Sequence, residues 1–247
     1  MREPDDFFIG WSTQTPQRDR RFMLGASLAL IAGAGGLGAA LALNPAPIGG
    51  GIWDQGEART LRGLLTATPY PTIRTRDLDG AVRTVFLATS GKTAPRIDAS
   101  LIGQSASVTG TLITRGRNAM MAVSAINAAA IEPDNLAATT LSDRGPVMLV
   151  GEVLDAKCWF GAMRPGYGRT HKACAALCAR GGLPLAFCQL GACGDDVAAP
   201  LLLDENGRAF GREILPLVAD PVAISGRLIE AGDVLQLRAA LSDIRRI

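Results

Sequence analysis

Three of the five cysteines and the only histidine of this chain fall within residues 155–182, DAKCWFGAMRPGYGRTHKACAALCARGG. Thiolates and imidazole are the ligands of zinc, copper and iron–sulfur centres. Cys158, His171, Cys174 and Cys178, spaced C-x12-H-x2-C-x3-C, are therefore the candidate metal ligands. A Cys3His set suits tetrahedral zinc, although this spacing is not a common finger spacing. Zinc or copper fits first. An iron–sulfur centre fits less well, since a Rieske site requires two histidines, and haem attachment lacks its C-x-x-C-H. Met163 is a further soft ligand available to copper.

Two other chemistries compete for the same residues. Cys188 and Cys193, C-x4-C around Gly191, are placed for a local disulfide, which leaves an odd number of thiols. Cys158 bridging Cys174 or Cys178 would then staple the segment, and the chain would be a non-enzymatic interaction module. A redox-active dithiol is the third reading. Cys174 would sit in the first turn of a helix, where the macrodipole and the nearby Lys172 and His171 lower a thiol pKa. The thioredoxin-type C-x-x-C is missing.

Residues 157–184 resemble a segment of exported or membrane-anchored bacterial proteins that carry Cys-x-Phe-Gly-x-Met and His-Lys-x-Cys-Ala-x-x-Cys elements on an OB-like β-module. The resemblance implies that Cys158, His171, Cys174 and Cys178 are the shared positions, with Cys188 and Cys193 particular to this chain. It implies no reaction.

These residues need a loop and a helix to bring them together. Gly161, Pro165, Gly166 and Gly168 force a loop after Cys158. Thr170 is a suitable N-cap for a helix over HKACAALCAR, with Gly181-Gly182 as its stop. At about 100° per residue, His171, Cys174 and Cys178 share an arc of about 60°. Trp159 and Phe160 supply apolar cover. Arg164, Arg169, Lys172 and Arg180 make the segment locally basic, which reads first as a solvated face and alternatively as a docking surface for an acidic redox partner or an anionic ligand.

The host of this insertion reads as half of a duplication. LRGLLTATPYP (61–71), FLATSGK (86–92) and SASVTGTLITRGRNAMMAVSAI (105–126) have counterparts in LVGEVLDAKCW (149–159), LLDENGR (202–208) and PVAISGRLIEAGDVLQLRAALSDI (221–244). Leu61 and Gly63 match Leu149 and Gly151; Val108 and Gly110 match Ile224 and Gly226. Alternating apolar residues around a central glycine predict curved strands of a small barrel. The expected fold class is mainly β: a transmembrane helix, then two OB-like barrel modules, the second with a Cys/His-bearing loop–helix insertion. The expected boundaries are a cytoplasmic tail 1–21, an anchor 22–43, a tether 44–56, module 1 at 57–133, a linker 134–146 and module 2 at 147–247, with the insertion at about 158–188.

Residues 22–43 carry no charge and are long enough to cross a bilayer. Arg18, Arg20 and Arg21 precede the run, and no basic residue follows until Arg59. The positive-inside rule thus places the tail in the cytoplasm and the bulk of the chain in the periplasm, as a single-pass protein of a bacterial inner membrane. Asp19–Leu24, DRRFML, also resembles a twin-arginine export signal, a pathway for folded, often metal-loaded proteins; Ala40-Leu41-Ala42 offers a cleavage site. A net charge of +2 without a basic run argues against nucleic acid. With the single histidine assigned to the metal site, no Ser/His/Asp set remains, and catalysis is not expected. Glu152 and Asp155 enter only as outer groups around the site. The expected function is a membrane-anchored periplasmic metal-binding protein with a structural, electron-transfer or metal-handling role, its partners the inner membrane and a redox protein.

Overall fold

The computed structural model describes residues 15–43, 50–76, 80–130, 136, 139–193 and 199–247. The chain divides into two units, residues 1–47 and 48–247. The first contains a single described helix, α1 (Gln17–Leu43), which is long and apolar enough to cross a membrane; a signal sequence passes the same test. The helix begins before the uncharged run, so Arg18, Arg20 and Arg21 lie in its first turns. Most of the expected tail (1–14), part of the tether (44–49) and part of the linker (134–135, 137–138) lie outside the described residues.

The second unit is mainly β. Its first five strands are β1 (Ile52–Thr66), β2 (Thr72–Thr75), β3 (Arg83–Ala88), β4 (Ser105–Arg115) and β5 (Asn118–Ala128). They close a barrel in the order β1-β2-β3-β5-β4, all neighbours antiparallel except β3 and β5. Leu61, Leu65, Ile73, Val85, Leu87, Val108 and Met121 fill it. The next strands are β6 (Leu141–Asp155), β7 (Leu185–Gln189), β8 (Leu201–Leu203), β9 (Pro221–Ala231), β10 (Val234–Arg238) and β11 (Ile244–Arg246). They form a sheet ordered β10-β8-β7-β6-β9-β11 with a further β10–β9 pairing, and β8 and β10 are parallel. The pairings among β6–β10 thus follow the same sequence as those among β1–β5.

The glycines that match in sequence sit where a neighbouring strand's backbone comes closest. A Cβ on Gly63 would lie 1.9 Å from the Arg74 carbonyl oxygen on β2, and one on Gly151 1.9 Å from that of Cys188 on β7. On the fourth strand of each set, a Cβ on Gly110 would meet the Ala122 carbonyl oxygen at 2.2 Å, and one on Gly226 that of Arg238 at 2.5 Å. Only hydrogen fits where one strand crosses so close to the next.

Two boundaries differ from expectation, and so does the division into separate modules. β1 begins at Ile52, inside the expected tether: Gly51 is pressed against the Phe160 carbonyl, where a Cβ would sit 2.4 Å away. β6 begins at Leu141, inside the expected linker, because residues from Leu141 onward pair with β9. The two strand sets also belong to one compact unit. They share an apolar core in which Phe86, Ile113 and Met120 of the barrel pack with Trp159, Phe160, Cys178 and Leu201. Polar ties reinforce it: the Thr84 N–H and hydroxyl both donate to Asp233, at 2.6 Å each.

Candidate metal centre

Five residues, 67–71, join β1 to β2, whereas residues 156–184 separate β6 from β7. That long connection leaves β6 through a one-turn π-helix (Cys158–Ala162), crosses a loop and a 3-10 turn (Arg169–His171), and returns along α2 (Lys172–Arg180). The expected Thr170 cap is not made: Thr170 lies inside the 3-10 turn, and no side chain caps α2. Gly181 ends the helix as expected, its N–H directed at the carbonyls of Leu177, Cys178 and Ala179. The loop folds back tightly on the turn, since a Cβ on Gly166 would lie 2.4 Å from the Cys158 carbonyl oxygen.

This route brings the thiols together. The Cys158 sulfur is 3.6 Å from that of Cys174 and 4.0 Å from that of Cys178. All three are free thiols; Cys158 and Cys178 are buried and Cys174 is partly buried. Sulfurs around a tetrahedral zinc at about 2.3 Å stand about 3.8 Å apart. The observed separations bracket that value and lie far beyond the roughly 2.05 Å of a disulfide. The ligating atoms of Cys158, His171 and Cys174 lie within 4.8 Å of one another, as do those of Asp155, Cys158 and Cys178. Three of the four expected ligands, Cys158, His171 and Cys174, thus form one group, and the fourth, Cys178, groups with Cys158 and with Asp155, which was not an expected ligand.

Asp155 is the residue that sequence reasoning undervalued. It ends β6 and is fully buried. One carboxylate oxygen accepts the Cys158 backbone N–H at 2.9 Å, and the other is 2.7 Å from His171 Nε2. A buried carboxylate holding one ring nitrogen of a histidine fixes the ring and leaves the other nitrogen to a metal. The local signal was its place three residues before Cys158, the spacing at which an Asp side chain caps a turn. Glu152 is more remote: it accepts the Gly168 N–H at 2.7 Å, and burial pushes its carboxyl above the usual range.

The barrel contributes a wall to the site, which no local pattern announced. Lys92, in the turn after β3, places Nζ 2.6 Å from the Cys174 sulfur, and this contact pushes the lysine pKa up. Buried Lys157 donates to the carbonyls of Thr89, Ser90 and Gly91 at 2.7, 2.9 and 2.5 Å. Its ammonium also stands 5.0 Å from the Trp53 ring centroid, and burial lowers its pKa. A Cβ on Gly181 would lie 1.9 Å from the Lys92 carbonyl oxygen, so the end of α2 touches the same turn. The Cys158 thiol is pushed up in pKa, first by its hydrogen bond with Cys178, then by burial and the Asp155 carboxylate.

The remaining expected residues surround this core. Cys188 and Cys193 form a disulfide. The Cys193 carbonyl accepts from Trp159 Nε1 at 2.8 Å and from Arg115 at 3.1 Å, and Arg115 lies 4.3 Å from the Trp159 ring centroid. Trp159 and Phe160 are buried, in keeping with their role as cover. Met163 closes the π turn through its N–H to the Cys158 carbonyl, and its side chain is 45% exposed. Of the basic group, Arg164 donates to the Gly51 carbonyl, Lys172 pairs with Asp220 at 2.6 Å and the charge of Arg169 also acts on Asp220. Comparison with known proteins finds no matching family model, no matching curated protein and no matching solved structure.

Proposed function

We propose that this chain is a membrane-anchored metal-binding protein whose centre is built by Cys158, Cys174, Cys178 and His171, with Asp155 orienting the imidazole. One observation carries the reading: a buried sulfur stands 3.6 and 4.0 Å from two others, beside a histidine held by a fully buried carboxylate. Zinc suits this Cys/His set, and copper(I) is the alternative for which the thiolates alone suffice. The burial of Cys158 and Cys178 supports a structural or electron-transfer role. α1 serves as the anchor, with the β-unit on the periplasmic side of a bacterial inner membrane. The barrel order β1-β2-β3-β5-β4 and the matching pairings of β6–β10 support two OB-like modules derived by duplication, the second carrying the insertion. Its relatives are the exported proteins that share the Cys/His segment.

The test is elemental analysis of full-length chain purified in detergent, followed by titration of the stripped protein with Zn²⁺ and with Cu⁺. About one ion per chain is expected, with loss on Cys158→Ser and protection of the three free thiols from alkylation when metal is restored. Thiols that alkylate equally fast with and without metal overturn the reading. A topology reporter fused after Ile247, together with the mass of the mature N-terminus, separates an uncleaved periplasmic anchor from a removed signal.

A further inference from the structure

The three thiols differ in ways that the metal reading does not use. Cys174 is partly buried, the most accessible of the three, whereas Cys158 and Cys178 are 3% and 1% exposed. A disulfide reagent therefore reaches Cys174 first. Cys174 and Cys178 lie four residues apart on α2. Cβ atoms at that spacing are about 5–6 Å apart, more than the roughly 3.8 Å a disulfide needs. Cys174 thus has one intramolecular partner within reach: the Cys158 sulfur at 3.6 Å, arriving from a different element. Closing that gap to bonding distance takes a movement of about 1.5 Å. The Lys92 ammonium, 2.6 Å from the Cys174 sulfur, borders the exposed approach.

We propose that Cys174 and Cys158 form a thiol–disulfide exchange pair for small-molecule disulfides, with Cys174 attacking and Cys158 resolving. This goes beyond metal binding and requires no metal. The Cys174 thiolate attacks one sulfur of R–S–S–R, forming a Cys174–S–S–R bond and releasing RS⁻. Cys158 then attacks the Cys174 sulfur, its proton leaving with the released thiolate as RSH. A Cys158–Cys174 disulfide forms and a second RS⁻ departs. Two electrons pass from the two protein sulfurs to the small disulfide, which leaves as one RSH carrying the Cys158 proton and one RS⁻; the proton that Cys174 gave to solvent on forming its thiolate is the one that protonates this RS⁻.

The experiment uses full-length, metal-stripped protein in detergent with oxidised glutathione, alkylation quenching over time and fragmentation mass spectrometry, since Cys174 and Cys178 share one tryptic peptide. The wild-type chain is expected to release two equivalents of glutathione, to show glutathione on Cys174 at early times and to finish with a Cys158–Cys174 link. Cys158→Ser should stop at one equivalent with glutathione retained on Cys174. A first adduct on Cys158 or Cys178, a final Cys158–Cys178 link, or release of only one equivalent by the wild type overturns the proposal. The early adduct is read on the wild type itself, so the result does not depend on a variant folding. Metal content measured before stripping separates the two readings: a chain that binds metal without exchanging disulfides sinks only this one, and the converse sinks only the metal site.

Discussion

The barrel β1–β5 and the set β6–β10 share a pairing scheme but spend their first connection differently. In the barrel, β1 turns into β2 within residues 67–71. In the second set the same junction opens into residues 156–184, which contain all three free thiols and the histidine. At the barrel position that matches Asp155 stands Ala67. The strands are thus common ground, and the chemistry lies in the one place where the sets diverge. The barrel is not idle for lacking ligands: its turn at 89–93 forms one side of the pocket.

The largest expected effect tests the shared ground. Gly63→Val and Gly151→Val each drive a side chain into a neighbouring strand's carbonyl. Both should destabilise the unit by about 3 kcal/mol in urea denaturation. A large effect at one glycine and none at the other would break the equivalence of the two sets.

Asp155→Asn keeps the shape of the side chain and removes its charge. The imidazole loses its orienting carboxylate, so metal affinity should fall about 10–100-fold. The readout is competition with a chelating indicator. An unchanged affinity would mean that His171 is not a ligand.

Lys157→Met removes the donor shared by three carbonyls of the barrel turn. Stability should fall by about 2 kcal/mol, and hydrogen exchange should accelerate between Thr89 and Thr93 before it does elsewhere. Uniform acceleration would show that the turn is not a separate element of the pocket.

The smallest effect concerns acid. Asp220 accepts from Lys172 at the start of α2, and that hydrogen bond first, then the charges of Lys172 and Arg246, hold its carboxyl below the usual carboxylate range. A depressed folded pKa contributes stability above the ordinary carboxylate value of about 4 and loses it as pH falls below that value. Asp220→Asn should therefore be less stable than wild type at neutral pH, and the gap should close below about pH 4. A constant gap would assign the loss to packing rather than charge.

Much of this arrangement was legible before any coordinates. The central glycines Gly110 and Gly226 marked strands, and the spacing of Cys174 and Cys178 put both on one helix; His171, expected on the same helix, stands in the 3-10 turn just before it. Lys92 could not be read this way. It lies 82 positions before the sulfur it touches, and Ser90-Gly91-Lys92 looks like any turn. Gly51 was misread for a related reason: a glycine beside NPAPIGG looks like slack chain, and only the fold shows Phe160 pressed against it. Thr170 failed as a cap because the 3-10 turn at 169–171 precedes the helix and takes up the residue that would have started it. Local chemistry is written in neighbouring residues, whereas contacts between distant segments are written only in the topology.

The three carbonyls that converge on Lys157 have a consequence for the thiols. They lie on the barrel, whereas the lysine that satisfies them stands one residue before Cys158. The geometry of the sulfur pocket is therefore tied to a turn more than 60 residues away in the chain, and damage to either segment is felt by the other.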